Sequence, residues 1–501
     1  MNRGRHLFYS LRVARPRQLK ARALRPLRRR SFPFSGRTGR FSPLPSDLWR
    51  STAFSGVDEV VADGAVRVLG KELRFPPSDW DLPGEPRLRR FHLHYGEEVL
   101  GWTRKGELEA AGSALRAWIA GNPPRRGDAW HPYPLSTRVG NWIAALSLAP
   151  ELATPTTLES LERQLAHLER NVEDDVLGNH VLRNARALVL GGASLGRREL
   201  LDRGVALLRR ELPEQVLPDG GHYERSPVYH LIVLRDLMEL RAAGLDWLDD
   251  TVERMRRFAA ALSRPDGRPA LFNDGLLDLA PTLELPAPDG GLTVFRETGY
   301  AVVRTERLWL AVDCGPPGPV FLPAHAHADA LSLQLWWDGR PVLVDSGSFT
   351  YDPGPERTRL RSTRAHSTIE LDGESQFETW RAFRSGPFPE VRLDRADDAG
   401  LEAHVVWPGG VVHRRRVEWG AEEVMIRDRV EGAGPHRIAS RLVLAPGAPS
   451  DRIEAVEGAR MSVEAGWISE RFGERIATDV LVAGLDGGLP VELGWRIGDL
   501  Q

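Results

Sequence analysis

The chain holds a single cysteine, Cys314, so no intrachain disulfide can form, and an oxidising compartment is neither required nor excluded. It has no apolar run long enough to span a bilayer. It also lacks a surplus of either charge. The 67 Lys and Arg residues stand against 69 Asp and Glu, which removes any global bias toward nucleic acid or a membrane. Lysine is scarce: nearly all the basic residues are arginine, a side chain suited to carboxylate recognition. The N-terminal stretch is basic, through Arg3, Arg5, Arg12, Arg15, Arg17, Lys20, Arg22, Arg28, Arg29 and Arg30, yet it lacks the continuous apolar segment of a secretory signal. That lack gives a cytoplasmic expectation, with a periplasmic or envelope-associated location as the alternative. The arm reads as a tail for an anionic surface or for an envelope or polysaccharide-assembly partner, or else as a solvated arm packed loosely on the body.

What is present is length and a change of texture. A chain of 501 residues, 42 % of them apolar, exceeds one ordinary core, so two or three domains are expected. From about residue 105 to 265 apolar residues recur at spacings of three and four, as in Leu158, Leu161, Leu165 and Leu168, or Val252, Met255, Phe258 and Leu262. Ser226-Pro227 is a helix start, with a capping serine before proline at the first helical position. Short Gly/Pro breaks between the segments suit antiparallel helical hairpins, and hairpins of similar length suit a ring. Near Gly290-Gly291 the period shortens. Strand-like runs follow at 308–312, 333–337, 341–344, 423–426 and 441–444. Helices first and strands afterwards argue for an α+β multidomain chain whose second domain is an antiparallel β-sandwich.

Four clusters could carry chemistry. In Ala324-His325-Ala326-His327-Ala328-Asp329 an extended backbone would put His325, His327 and Asp329 on one side and the alanines on the other. With Asp345 at the end of an apolar strand and His366 in a third segment, this suits a metal site, an acid/base site, or a polar sheet face of hydrogen-bonded histidines. The second cluster is Gly220-Gly221-His222-Tyr223-Glu224-Arg225-Ser226-Pro227-Val228-Tyr229-His230. Here Tyr229 falls in a first helical turn, where the macrodipole favours negative charge; the plainer reading is that it packs, with Glu224 paired to Arg225. The third is Gly178-Asn179-His180 at a helix start. The fourth is Trp130-His131-Pro132-Tyr133 with Arg138 and Trp142, where aromatic faces beside an arginine suit a sugar acid, though Trp142 also reads as core.

Taken in order, GNHVLRNARALVLGG, DGGHYERSPVYHLIVLRDLMEL, HAHADALSLQLWWDGRPVLVDSGSFTY and RLRSTRAHSTIELDGESQFE resemble the heparinase II/III family of polysaccharide lyases; they run from residue 178 to 378. The resemblance implies an N-terminal (α/α) toroid of helical hairpins over residues 45–288, after a basic arm at 1–44, and a β-sandwich over 289–501, with the active site between them. It implies Asn179, His180, Tyr229 and His325 as catalytic residues. Asn179 would neutralise a uronate carboxylate, Tyr229 would be the acid, with the role of base open to it as well, and His180 and His325 would be the other proton acceptors. Tyr133, Arg138, Tyr223, Glu224 and Arg225 are the candidates for binding an acidic polysaccharide. The implied ligands of a structural Zn2+ or other divalent cation are His327, Asp345 and His366; no organic cofactor is needed. Two other functions stay open: a glycoside hydrolase using Asp219 and Glu224 across the cleft, or a glycan-binding or remodelling component of exopolysaccharide biosynthesis.

Overall fold

A computed structural model describes residues 3–28, 40–45, 49, 60–61, 64–124 and 127–498. Two basic helices come first, α1 (Arg3–Val13) and α2 (Pro16–Arg28), then a small antiparallel sheet of β1 (Val60–Val61), β2 (Ala65–Val68) and β3 (Lys71–Arg74). The helical body follows: α3 (Arg87–Leu93), α4 (Glu97–Lys105), α5 (Leu108–Gly121), α6 (Pro132–Leu148), α7 (Pro155–Arg170), α8 (Asn179–Ser194), α9 (Arg198–Gln215), α10 (Pro227–Ala242) and α11 (Asp249–Ala261).

These helices alternate between an inner and an outer layer. Helix α6 contacts α4 and α8, and α8 contacts α10, so every second helix lines the inside of an (α/α) toroid. The inner helices are apolar or buried almost all round: only Tyr133 and Leu148 of α6, and His180 and Ala193 of α8, are not buried. The outer ones bury a single stripe, as in Leu161, Leu165 and Leu168 of α7. Polar groups inside the ring are paired, with Arg183 Nε 2.9 Å from Asp236 Oδ2 and the Arg186 guanidinium on Glu239. No helix among the described residues is long and apolar enough to cross a membrane.

Beyond residue 290 the chain is antiparallel strand. A five-stranded sheet holds β4 (Gly291–Phe295), β5 (Tyr300–Arg304), β6 (Leu308–Asp313), β7 (Leu333–Trp337) and β8 (Arg340–Leu343) in that order. A short helix α12 (Pro355–Leu360) precedes β9 (Ile369–Leu371) and the hairpin of β10 (Thr379–Trp380) and β11 (Arg384–Ser385). Then come β12 (Glu390–Asp397), β13 (Gly400–Val406), β14 (Val412–Trp419), β15 (Glu423–Glu431), β16 (Pro435–Val443), β17 (Ile453–Val456), β18 (Arg460–Ile468), β19 (Ile476–Gly488) and β20 (Val491–Gly498). They form a six-stranded sheet, β12-β13-β14-β15-β20-β17, and a four-stranded one, β18-β19-β16-β9.

The two-residue period of β5 and β6 joins the domains. Ala301, Val303, Leu308, Leu310 and Val312 enter the sandwich core. Their alternates Tyr300, Val302, Trp309 and Ala311 pack on Phe258, Leu262 and Phe272 of the helical body. Both faces of the sheet are therefore covered, which is why β6 is buried along its whole length. Ion pairs Arg264–Glu470 and Arg471–Asp278, both at 2.7 Å, cross the same boundary. A Cβ on Gly221 would lie 1.8 Å from Thr298 Oγ1, so this approach requires glycine.

The N-terminal arm differs from a loosely solvated tail. Arg15 pairs with Glu214 and Arg17 with Glu211 on α9, while Gln18 donates to the Phe321 carbonyl on the sandwich side. His6 stacks on Trp380 at 4.0 Å and lies 3.1 Å from Glu378. The arm thus straddles both domains. Residues 29–39 of the expected arm, Arg29 and Arg30 among them, lie outside the described residues.

The Trp309 side chain fills this seam. Trp309→Ala is expected to lower stability by about 3–5 kcal/mol and to split one calorimetric unfolding transition into two, one per domain.

Candidate active site

Three inner helices begin at the end of the toroid that meets the sandwich: α6 at Pro132, α8 at Asn179 and α10 at Pro227. Their first turns lie side by side, and the Tyr133 ring sits 4.4 Å from the His180 ring. Several helix N-termini directed at one place favour an anion there. Ser226 starts α10 as the sequence suggests, its Oγ accepting from the Tyr229 N–H at 3.2 Å.

Glu224 ties α8 to the sandwich. Its Oε1 accepts from the Asn179 N–H at 2.8 Å, and the Asn179 amide donates to both carboxylate oxygens at 3.3 and 3.2 Å. Gly178 permits this: its φ is +62°, and a Cβ there would lie 2.1 Å from Glu224 Oε1. On its other side Glu224 meets His325 Nε2 at 3.1 Å. Burial alone would raise the Glu224 carboxyl, but the hydrogen bond and charge of His325, with His222 and the Asn179 N–H, bring it down to about 2.

His325 is held on both nitrogens, since Nδ1 donates to Asp274 Oδ2 at 3.0 Å. Burial would lower the imidazole, yet the two carboxylates push it up to about 9. Its ring stacks on Tyr229 at 3.8 Å between centroids. The Tyr229 phenol is raised well above its ordinary range by burial, then by the neighbouring Tyr351 and Asp274. Asn179, Glu224, His325 and Tyr229 therefore form one contiguous chain across the domain boundary.

His180, the residue after Asn179 in α8, is partly exposed, with Nδ1 donating to Glu173 Oε1 at 2.9 Å. Asn184 holds Glu173 in turn, its Oδ1 accepting from the Glu173 N–H at 2.9 Å and its amide donating to Oε2 at 3.1 Å. Burial would raise the Glu173 carboxyl, but His180 and His131 lower it. Next to this pair a cavity of about 440 Å3 is lined by His131, Glu173, His167, Arg87 and, from the arm, Ala21 and Arg25.

Asp274 organises the back of the site. It accepts from His325 Nδ1, from His327 Nε2 at 2.9 Å, from Ser348 Oγ at 3.3 Å and from both terminal nitrogens of Arg357. Burial would raise its carboxyl, but Arg357, with His325 and His327, holds it well below the usual range. Asp274, Glu173, Tyr351 and Arg357 were not singled out in the sequence. The Asn273-Asp274-Gly275 turn at the domain boundary was the one available signal.

Several expectations are corrected. Arg138 does not face a ligand: it is fully buried over the Trp118 ring, its guanidinium donating to Gln164 Oε1 and to the His94 and Ala129 carbonyls. Arg225 is spent on the Thr298, Tyr223 and Glu297 carbonyls, and so fastens the domains. Tyr223 is buried beside Phe321, and Glu224 holds Asn179 and His325 rather than pairing with Arg225. Tyr133 remains at the mouth, half-buried above Arg183. Asp219, the second carboxylate of the hydrolase reading, accepts from the Thr298 N–H and hydroxyl at 2.7 and 2.6 Å.

The metal expectation changes in one ligand. Among the described residues His327, Asp329 and His366 place donor atoms within 4.8 Å of one another. Asp345 touches this group through His366, whose Nδ1 donates to Asp345 Oδ2 at 2.7 Å, and its other oxygen accepts from the Gly347 N–H. The residues fit a divalent cation in part: His327 and Asp329 offer open donor atoms, whereas His366 has Nδ1 on Asp345 and Nε2 3.0 Å from the Leu360 carbonyl, and would have to give up one of these bonds to ligate. His327 Nδ1 and Asp329 Oδ1 are buried with no hydrogen-bond partner, and burial, opposed by Asp274, keeps the His327 imidazole neutral, at about 4. Burial pushes the Asp329 carboxyl up to about 7, with the Asp345 charge adding to it and His366 opposing, as for a carboxylate short of positive charge.

Comparison with known proteins agrees with this architecture. Residues 112–280 match the family profile described as Heparinase II/III N-terminus, and residues 287–498 the one described as Heparinase II/III-like, C-terminal. A heparin-sulfate lyase of Bacteroides stercoris is 24% identical over 348 residues, 58% of this chain and 51% of that protein. FtsZ-localized protein C of Caulobacter vibrioides is 27% identical over 323 residues, 58% of this chain and 55% of that protein. The chain thus spans about half the length of these curated relatives. A crystal structure of heparinase III superposes with a TM-score of 0.68 at 15% identity, covering 96% of this chain and 89% of that one, which shows a shared fold.

Two measurements follow. The Glu224 carboxyl is depressed in the folded state, so its stabilisation is present above the ordinary carboxylate range and is lost as pH falls from about 4.5 through about 2. Glu224→Gln should flatten that limb of a melting-temperature profile, removing at most about 3 kcal/mol of pH-dependent stability. Protein purified without chelator should carry about one equivalent of a divalent metal by elemental analysis, and its melting temperature should fall on chelation and not in His366→Ala. A metal-free preparation with an unshifted melting temperature would rule the site out.

Proposed function

The chain belongs to the heparinase II/III family, and from that premise we propose that it is a polysaccharide lyase cleaving uronic-acid-containing polysaccharide by β-elimination. The observation that carries this reading is the chain Asn179–Glu224–His325–Tyr229 across the domain boundary, with the His180–Glu173 pair beginning at the residue next to Asn179.

β-Elimination removes the C5 proton, which is α to the uronate carboxylate, and expels the 4-linked sugar oxygen. The enzyme must lower the charge on the carboxylate, take one proton and give another. The Asn179 amide, which in the free protein meets both oxygens of Glu224, would exchange that partner for the uronate carboxylate and, with the N-terminus of α8, stabilise the negative charge that builds there. His180 is the base: Glu173 occupies Nδ1, which fixes the tautomer and leaves Nε2 to take the C5 proton. The C4–C5 double bond forms, the C4–O bond breaks, and the leaving oxygen takes the Tyr229 proton.

Tyr229 suits the acid role better than the base role. Burial and its neighbours oppose a phenolate, so the proton is in place when the leaving oxygen needs it. His325 has both nitrogens committed to carboxylates and offers no lone pair for the C5 proton. Its positive charge, stacked under the phenol, stabilises the oxygen that loses a proton. A divalent cation held by His327, Asp329 and His366 would cross-link the irregular 325–329 segment to the turn at 363–366 behind His325. The relatives' name points to heparan-type chains as the first polymers to try; alginate-like and bacterial exopolysaccharides belong in the same panel.

Purified protein incubated with that panel should release products absorbing in the ultraviolet from the new double bond. Tyr229→Phe and His180→Ala should each lower kcat by about 10^2–10^4. New reducing ends without the double bond would mean a hydrolase. Tight binding with no turnover, unchanged in Tyr229→Phe, would mean a glycan-binding component of a polysaccharide-assembly system.

A further inference from the structure

Helix α1 has two faces of opposite use. Its inner face is docked: His6 stacks on Trp380 and lies on Glu378, and Tyr9 meets the same indole edge-on. Its outer face is not covered by the described residues of the body. Leu7, Phe8 and Leu11 are 62%, 68% and 50% exposed, and they fall on one side of the helix by their spacing. Single exposed apolar residues are ordinary, but three large ones within one turn form a patch. Exposed Arg5 and Arg12 flank it, three residues before Phe8 and four after. No aspartate or glutamate occurs before Asp47.

We propose that α1 docks this outer face on an anionic lipid surface, with Leu7, Phe8 and Leu11 in the headgroup–acyl boundary and the flanking arginines on lipid phosphates. The pattern is that of an interfacial helix: an apolar stripe bordered by cations, too short and too polar to span. An acidic glycan would use the arginines but has no use for Leu7, Phe8 and Leu11. A second copy of the arm would bring like charges together, since the arm holds nothing acidic to answer them. The inner contacts make docking consequential. Helix α1 rests on the β10–β11 hairpin, whose Ala382 carbonyl accepts from Arg357, while Arg15, just before α2, and Arg17 in its first turn are pinned to Glu214 and Glu211 of the toroid. A surface-bound arm therefore holds the cleft at a set orientation to the bilayer. This inference is independent of the reaction proposed above, because it needs no turnover to be tested.

Full-length protein should co-sediment with vesicles of phosphatidylcholine mixed with phosphatidylglycerol at least about tenfold better than with phosphatidylcholine alone, and salt should weaken the binding. The triple variant Leu7→Ser, Phe8→Ser, Leu11→Ser should lose at least about tenfold of it while its melting temperature stays that of the wild type. Phe8→Glu, a single change at an exposed site, should do the same and guards against misfolding of the triple variant. Protein that stays in the supernatant with the anionic vesicles overturns the proposal. So does a triple variant that binds as well as wild type, which would mean charge alone, as would equal binding of both proteins to dextran sulfate with none to vesicles. A dimer in sedimentation velocity that the triple variant abolishes, without vesicle binding, would assign the face to a second copy.

Discussion

A single buried carboxylate, Asp274, sets the geometry on which the site depends. Taking a carboxylate out of water is costly unless several donors replace the water. Here Arg357 supplies two nitrogens, His325 and His327 one each, and Ser348 a hydroxyl. The backbone of the same residue is also engaged: its N–H donates to the His325 carbonyl, and its carbonyl accepts from Ser226 Oγ. One residue thereby fixes the start of α10, hence Tyr229, and the imidazole beneath Tyr229. It also decides the direction of the cation site. With Nε2 of His327 committed to Asp274, Nδ1 is the nitrogen left for Asp329 and His366. Tyr229, the charged His325 and the proposed metal ligands are arranged around one partner.

The arginine-rich composition has a structural use beyond carboxylate recognition. Arg138, Arg186, Arg357, Arg361 and Arg415 are fully buried. Each planar guanidinium spreads its donors over several acceptors, which a lysine ammonium cannot do in the same geometry. Arg361 donates to the Ala326, Pro323 and Ala382 carbonyls and so braces the His325–His327 segment. Arg415 joins Asp428 in two bonds and reaches the Leu331 and Ser367 carbonyls, linking two sheets of the sandwich. Such cross-links hold irregular backbone, where no ladder of strand or helix bonds can.

The legible part of this protein is the part set by local periodicity. The change from a period of three and four to a period of two near residue 290, and the Ser226-Pro227 cap, needed only neighbours in sequence. Asn179, Tyr229 and His325 stood out because Gly or Pro punctuation, or alternating alanines, framed them. Asp274 carried no frame of its own: its partner Arg357 is 83 residues away, and nothing local distinguishes an Asp that will meet two histidines from one that will meet water. Asp329 was visible but Asp345 was preferred from the resemblance. Arg138 failed for the opposite reason. Aromatics beside an arginine read the same whether they line a cleft or a core, and only the inner position of α6 decides. The arm was read as a loose tail because its anchors, Glu211, Glu214 and Glu378, lie on other elements.

Protonation states divide the labour in the proposed reaction, and burial assigns them. Three neutral-or-charged choices have to be made at once, for a phenol and two imidazoles within one cleft. Low dielectric around Tyr229 keeps it neutral, which a donor requires. The same surroundings would neutralise His325 as well, and only the two carboxylates on its nitrogens keep it charged. His180 has one carboxylate rather than two and sits partly in solvent, so it retains an open nitrogen. Were Glu224 absent, His325 would lose one carboxylate and free Nε2, and the distinction between the two histidines would narrow. Glu224 itself touches neither the proton removed nor the proton given. In the proposed reaction its part is to make the two histidines unlike each other, one left as a base and the other kept as a cation under the acid.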